Sequence, residues 1–292
     1  MKYRSVLKWL LLMIGLLAFF AASMGLFYPN PGEPYAYTNH RGEHVMINGQ
    51  GLYAYDTVSS AVQQQGNDVV TLLVGLPLLA LSAWLALRGS LRGRLLLTGT
   101  LGFFLYTYLS MSMLTSYNGL FLVYVALFSL SLFAFILSMI SFDLKRLPGY
   151  FSPRLPSGWI AALLFLVGGF LLLAWLGRIL PPLLQNETPV LENTTTLVIQ
   201  ALDLGLIVPL AFLAGVLLLK NNPWGYLLAS VTLLKGVTLG LGVSAMAINM
   251  ALHGVADSLG IMLPFLLITV LNIVMAVILL KNVNEQEEVG SG

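Results

Sequence analysis

The sequence contains no cysteine and few charged residues. The absence of cysteine excludes disulfides, thiolate nucleophiles, iron–sulfur clusters and cysteine-ligated zinc. Charged residues occupy 9% of the 292 positions, whereas a soluble domain carries about 25%. A chain of this size cannot hide so many apolar side chains from water, because its surface is too large for its volume. With 58% hydrophobic residues, the chain is predicted to be an all-α integral membrane protein.

Motifs for nucleotides, cofactors and nucleic acids are missing as well. The sequence has no P-loop, no dinucleotide-binding glycine pattern and no nucleophile elbow. No basic tract suits nucleic acid, and no histidine lies inside an apolar run, which disfavours a membrane-buried haem. We therefore predict no cofactor and no nucleic-acid partner. The predicted surroundings are the lipid bilayer, and the sequence identifies no protein partner.

The apolar residues fall into eight runs. Each run is close to the ~20 residues that cross a ~30 Å hydrocarbon core as a helix. Only residues 116–119 separate the third run from the fourth, but one merged run of about 50 residues would be far too long for a single crossing. The sequence therefore predicts eight transmembrane helices, at 9–27, 69–87, 95–114, 120–142, 158–180, 198–219, 225–249 and 259–280.

Basic residues set the predicted orientation. Cytoplasmic loops carry the excess of Lys and Arg, and a cytoplasmic N-terminus leaves only Arg41 and Arg178 outside and Lys235 within a span. We predict that both termini are cytoplasmic and that the membrane is the plasma membrane. An alternative is that residues 1–23 form a cleaved signal peptide. The other basic residues would all be cytoplasmic: Lys2, Arg4, Lys8, Arg88, Arg92, Arg94, Lys145, Arg146, Arg154, Lys220 and Lys281.

The two halves of the chain have a similar order of residues. Asp68, Pro77, Arg88 and Gly93 in the first half are followed in the second by Asp203, Pro209, Lys220 and Gly225. This order predicts two parallel four-helix repeats related by an axis along the membrane normal. The predicted halves are 1–147 and 148–282, followed by a cytoplasmic polar tail at 283–292. The alternative is eight unrelated spans, because apolar sequences resemble one another by chance.

Residues 28–67 are predicted to form an outer lid. Residues 45–47 and 52–55 flank Asn48-Gly49, which is a hairpin turn signal. Asp56 or Thr57 can then cap a short helix that ends near Gly66. The sequence thus predicts a β-hairpin and a short helix over the outer mouth of the bundle.

The lid contains a weak metal motif. His40, Glu43 and His44 match the pattern H-x-x-E-H of one metallopeptidase class. That chemistry needs both imidazoles on one helical face, and Gly42 within the motif disfavours a helix. We predict a polar loop and no metal site, with these three residues as weak candidates.

Lys235 is the most informative single residue. A lysine near the middle of a span costs about 2.5–3.5 kcal/mol on insertion scales, so Lys235 is predicted to face the interior of the bundle. Asp203 lies about 9 Å further outward at ~1.5 Å per residue, and a Lys235–Asp203 pair, direct or through water, is predicted. Its structural alternative is an ion pair that only fixes helix register. The other predicted substrate-binding residues are Asp68, Tyr106 and Arg178, and His253 and Asp257 form an outer rim.

Three functions fit these residues. The first is the binding or transport of a small molecule or ion at an outward-facing polar site between the two halves. The second is an intramembrane enzyme that acts on a lipid-like substrate at the outer leaflet, with Asp68, Asp203, His253 or Asp257 as acid or base. The third is a structural or regulatory membrane subunit. The sequence leaves open whether the protein is an enzyme.

Overall fold

The computed structural model describes residues 2–255 and 259–285, with the side chains of 259–262 left out. Its helices confirm the prediction of eight helices long and apolar enough to span a membrane, and thus of a helical membrane protein. Two short strands, β1 (Tyr35–Thr38) and β2 (His44–Ile47), follow the first helix and pair antiparallel. The helices are α1 (Arg4–Phe27), α2 (Val58–Leu87), α3 (Leu91–Leu114), α4 (Phe121–Ile140), α5 (Ser157–Leu184), α6 (Val198–Leu219), α7 (Pro223–Leu252) and α8 (Leu259–Lys281).

In chain order, α1–α4 form a first group of four helices and α5–α8 a second. In the first group, α1 contacts α2 and α4, and α3 contacts α2 and α4. In the second, α5 contacts α6 and α8, and α7 contacts α6 and α8. The two groups meet where α7 packs on α2 and α3, and where α3 packs on α6.

The contact between α3 and α7 lies at the centre of the protein. These are the two most enclosed spans, because 67% of the most apolar stretch of α3 and 50% of that of α7 is buried. Gly99 of α3 allows the close approach, because a Cβ at that position would lie 2.5 Å from the Leu234 Cβ of α7. Gly66 of α2 does the same further along α7, against the backbone of Met246. Small residues of this kind allow membrane helices to pack closely.

α2 and α6 each contain one π-helical turn. The turns are Thr71–Gly75 and Asp203–Ile207, and each ends two residues before a proline, Pro77 or Pro209. A proline has no N–H and crowds the carbonyl four residues earlier. The wider π turn relieves that crowding without breaking the helix. Local distortion at these prolines is thus accommodated inside continuous helices.

The hairpin uses one of the two predicted strands, because residues 45–47 lie in β2. Its partner strand is β1, through a turn at residues 39–43, and residues 52–55 form a turn instead of a strand. Within that turn, Tyr53 is buried and donates a hydrogen bond to Asp68 at 2.6 Å. That contact holds residues 52–55 against α2.

The predicted short outer helix is wrong as a separate element. Thr57 caps it as predicted by accepting a hydrogen bond from the Ser60 N–H. The helix then continues through Gly66 to Leu87 as the single helix α2. Gly66 is not a helix stop, because its missing Cβ serves the contact with α7.

Residues 283–285 pack against the N-terminus of α3. Arg92 donates to the carbonyl of Val283, and the Glu285 carboxylate accepts hydrogen bonds from the Ser90 hydroxyl and the Arg92 N–H. Val283 is fully buried and pairs with Phe151. The predicted polar tail therefore begins with residues 283–285 fixed to the N-terminus of α3.

The turn between α6 and α7 generates a stability prediction. A Cβ at Gly225 would overlap the backbone of Leu217 and Leu218. We expect Gly225→Ala to lower the free energy of unfolding by about 1–3 kcal/mol, the usual cost of overpacking. Thermal unfolding in detergent, followed by tryptophan fluorescence, measures the change. Gly177→Ala is the matched control, because a Cβ there meets nothing within 4 Å, and equal melting temperatures for the two variants would contradict the prediction.

Candidate functional site

The ammonium group of Lys235 lies inside the bundle. Lys235 is 7% exposed and belongs to α7, the helix that joins the two groups. Its Nζ lies 4.1 Å from the centroid of the Tyr106 ring. It has no hydrogen-bond partner among the described residues. The cation–π contact is worth about 2 kcal/mol when desolvated, but it leaves three N–H donors unused.

The hydroxyl of Tyr106 continues the contact to Asp203. It donates to Asp203 Oδ1 at 2.6 Å, and the indole N–H of Trp175 donates to Asp203 Oδ2 at 2.9 Å. Asp203 is 5% exposed and is the first residue of the π turn in α6. The cluster of Lys235, Tyr106, Asp203 and Trp175, hereafter the Lys235 cluster, therefore joins α7, α3, α6 and α5.

The predicted pair of Lys235 and Asp203, direct or through water, has no direct contact in the described structure, where the ion pairs are Arg41–Glu43 and Arg146–Asp143. Tyr106 contacts both residues. The carboxylate of Asp203 accepts from two neutral donors, while the ammonium of Lys235 has no oxygen acceptor among the described residues.

Asp68 belongs to a different cluster. It is 2% exposed and accepts the hydrogen bond from Tyr53. Gly25 of α1 makes room for this pair, because a Cβ there would overlap the carboxylate. Burial, and then the charge of Asp68, raises the pKa of Tyr53 well above its usual value. The structure thus joins Asp68 to the outer segment and not to Lys235.

The remaining predicted site residues lie near helix ends. Arg178 is exposed and donates to the Val190 carbonyl at 2.8 Å. His253 is exposed at the end of α7, and its Nδ1 lies 2.9 Å from the Asn249 carbonyl oxygen. Asp257 falls outside the described residues. Neither Arg178 nor His253 has a polar contact with the Lys235 cluster in the described structure.

The weak metal candidates surround the turn between β1 and β2. The Nδ1 of His44 lies 3.1 Å from the Thr38 hydroxyl, and the Nε2 of His40 lies 3.2 Å from Arg41. Hydrogen bonds from Asn39 and then Arg41 lower the pKa of Glu43. A hairpin cannot place the two imidazoles as one face of a helix does, and this arrangement is a polar turn.

A second polar site lies at the ends of the helices beside the hairpin. A cavity of about 190 Å³ separates the start of α2, the end of α3 and the segment before α6. Its lining includes the carboxylates of Asp56 and Glu192. Asp56 Oδ1 accepts a hydrogen bond from the Ser116 N–H at 3.0 Å. Burial raises the pKa of Asp56 to about 6, against the Ser116 hydrogen bond, which lowers it.

Three residues of these two sites were not identified by the sequence analysis. Trp175 lies within a predicted span, and the sequence signal for its role was that a buried indole N–H needs an acceptor. Thr232, one turn before Lys235, has a buried hydroxyl without a hydrogen-bond partner in the described structure. Asp56 was predicted only as a helix cap, because its burial depends on distant segments.

Comparison with protein-family models, with curated proteins and with solved structures gave no match for this chain.

The burial of Asp56 predicts how stability depends on pH. The unfolded carboxyl titrates near pH 4, so between about pH 4 and pH 6 the folded protein binds more protons than the unfolded chain. The contribution of Asp56 is therefore complete below about pH 4 and is lost as the pH rises through about 6. We expect Asp56→Asn to flatten this dependence and to raise the melting temperature at pH 7.5 by a few degrees.

Tryptophan-fluorescence melting between pH 4 and pH 8, in buffer containing a chelator, tests this expectation. Glu187→Gln serves as the control, because it removes an exposed carboxylate from the segment before α6. Parallel curves for the wild type and Asp56→Asn would contradict the assignment to Asp56.

Proposed function

We propose that this protein binds a small molecule or ion, and transports it, at the Lys235 cluster between two four-helix halves. The observation that carries the proposal is the ammonium group of Lys235, which is buried without an oxygen acceptor in the described structure. Buried polar groups normally have hydrogen-bond partners, and an exception requires an explanation. A ligand with an anionic group would supply the missing acceptor.

A second unused group supports the same location. Thr232 lies three residues before Lys235, which places both on one face of α7. Its hydroxyl is also without a hydrogen-bond partner within residues 2–255 and 259–285. Lys235 and Thr232 together offer an ammonium and a hydroxyl to an oxygen-bearing ligand.

The proposed halves correspond to residues 1–147 and 148–282. Their support is a constant spacing of 132 positions between matching features of α2–α3 and α6–α7. The π turns begin at Thr71 and Asp203, and the prolines are Pro77 and Pro209. Gly93 and Gly225 each make a close contact with the preceding helix. The helix pairing within the two groups is also the same.

In the proposed repeat, both charged residues of the Lys235 cluster belong to the second half. At this spacing, Phe103 corresponds to Lys235, and Thr71 rather than Asp68 corresponds to Asp203. The first half therefore lacks both charges. A duplicated scaffold with charge in one half fits a single specialised site.

The proposed orientation keeps both termini in the cytoplasm of a cell with the protein in its plasma membrane. Its support is the excess of Lys and Arg at the ends that would face inward. Residues 28–57 would then lie outside as a lid, held by Arg41, which donates to the carbonyls of Glu192 and Thr194. In this arrangement the ligand would approach the Lys235 cluster from outside.

The lipid-directed enzyme has weaker support. Its candidate acids and bases would have to act on one substrate. Asp68 contacts Tyr53, Asp203 contacts Tyr106 and Trp175, and His253 contacts its own helix. The described residues offer no shared constellation for acid–base chemistry.

The stability of a lysine variant separates a binding site from a structural ion pair. A charge without hydrogen-bond acceptors costs stability, at least the ~1–3 kcal/mol of an unsatisfied buried polar group. We expect Lys235→Met to raise the melting temperature, as is usual where function requires an unfavourable group. Tryptophan-fluorescence melting in detergent measures the change. Lys220→Met, at the exposed end of α6, is the control, and a fall of several degrees in Lys235→Met alone would favour a structural subunit.

Ligand binding is tested with anions that contain oxygen acceptors. The probes are a panel of small carboxylates, sulfonates and inorganic phosphate at millimolar concentration. We expect at least one of them to raise the melting temperature of the wild type and of Lys220→Met saturably, but not that of Lys235→Met. Uptake of the same labelled anion into proteoliposomes then measures transport. A panel without effect on the wild type, or with equal effects on Lys235→Met, would refute the site.

A further inference from the structure

The cavity at the outer ends of the helices has an uncompensated charge. Its lining contains two carboxylates, Asp56 and Glu192, and among the described residues that line it there is no Lys, Arg or His. The two acids come from distant parts of the chain, just before α2 and just before α6. Thr57 donates a hydrogen bond to Glu192 Oε2, which fixes that carboxylate beside the start of α2.

Asp56 has an unused oxygen in this environment. The residue is 4% exposed, and its Oδ1 accepts the hydrogen bond from Ser116. Oδ2 is buried and has no hydrogen-bond partner within the described chain. A buried carboxylate oxygen without a donor is costly, and a bound cation would satisfy it.

Arg41, the arginine of the hairpin, already has other partners. Arg41 contacts the Glu43 carboxylate at 3.0 Å and the carbonyls of Glu192 and Thr194. It positions the segment before α6, but it does not line the cavity. Among the described residues, no cationic side chain thus balances the two carboxylates of the cavity, and a bound cation would do so.

The remaining lining indicates which cation fits. Only Met113, Leu114 and Val198 are apolar, and every other lining side chain bears an oxygen. At ~30 Å³ for each water, a volume of about 190 Å³ holds about six water molecules. Ca²⁺ takes six to eight oxygen ligands from carboxylates, carbonyls and waters in a flexible geometry, whereas Mg²⁺ demands a near-ideal octahedron. The oxygen-rich members of the lining are Asp56, Thr57, Ser60, Ser116, Glu192, Asn193, Thr194, Thr195 and Thr196.

We propose that this cavity is a calcium site, in which Asp56 and Glu192 bind one hydrated Ca²⁺ and so connect the start of α2 with the segment before α6. A site with two carboxylates, completed by hydroxyls, carbonyls and water, places the affinity in the range of extracellular calcium modules, at about 0.1–1 mM. The ion would strengthen the connection that Thr57 and Arg41 already make. This site is independent of the Lys235 cluster, since the two share no residue.

Calcium titration of the purified full-length chain tests the proposal. After treatment with a chelator, the wild type is titrated with CaCl₂, and in parallel with MgCl₂, while tryptophan-fluorescence melting and equilibrium dialysis of radioactive calcium are measured. We expect Ca²⁺ to raise the melting temperature saturably, with a Kd of about 0.1–1 mM, and Mg²⁺ to act at least tenfold more weakly.

Three variants assign the site. Asp56→Asn and Glu192→Gln are each expected to weaken Ca²⁺ binding at least tenfold. Glu187→Gln, which removes an exposed carboxylate from the same segment, should bind as the wild type does. Lys235→Met should also retain calcium binding, so that failure of either site is read separately.

Several outcomes would overturn the calcium site. They are the absence of Ca²⁺ binding to the wild type up to 10 mM, roughly tenfold above the expected range, unchanged binding in both Asp56→Asn and Glu192→Gln, and equal loss in Glu187→Gln. Stabilisation by tetramethylammonium chloride in place of CaCl₂ would also refute it, because the cavity would then prefer an organic cation. Size-exclusion profiles identify any variant that fails to fold, and the other carboxylate variant then decides.

Discussion

The close packing of α3 against α7 is the contact on which the rest of the structure depends. Gly99 brings the two backbones together, and both helices are more enclosed than the other spans. α3 also packs on α2 and α4, and α7 on α5, α6 and α8. Because Lys235 lies on α7 and Tyr106 on α3, the same contact that joins the groups brings the ammonium to the aromatic ring. In lipid, the hydrophobic effect does little to bring helices together, so close packing contributes much of the free energy of helix association.

The π turn in α6 places the acid of the cluster. Asp203 is its first residue, and the extra residue in that turn alters the direction in which the following side chains point. The carboxylate of Asp203 accepts hydrogen bonds from Tyr106 of α3 and Trp175 of α5. Asp203 is thus hydrogen-bonded at both oxygens, whereas Lys235 lies on the ring of Tyr106 and has no hydrogen-bond partner among the described residues. That imbalance between the two charges distinguishes the cluster from an ordinary buried ion pair, in which both partners are hydrogen-bonded.

The eight helices and the buried position of Lys235 could be predicted, because both depend on the order of apolar and charged residues along the chain. A lipid core demands long apolar runs, and a lysine within such a run must turn inward. Trp175 could not be assigned, since the direction of its side chain depends on how α5 is rotated against α6. The hairpin was predicted with one correct strand, residues 45–47, but its second strand was misplaced, because Tyr53 is buried beside Asp68 and residues 52–55 form a turn. Gly66 resembled a helix stop, but its role is a contact with α7, which is far away in sequence. The role of Asp56 likewise depends on segments that only the fold brings together.

The contact between residues 283–285 and the start of α3 has a consequence for the order in which the protein assembles. The hydroxyl of Ser90, which caps α3, donates to the Glu285 carboxylate, and Arg92 holds the Val283 carbonyl. These partners lie 191–195 positions after Ser90 and Arg92 in the sequence. The N-terminus of α3 therefore lacks them until residues 283–285 have been synthesised, after all five later helices. Completion of this end of α3 thus follows the synthesis of α8.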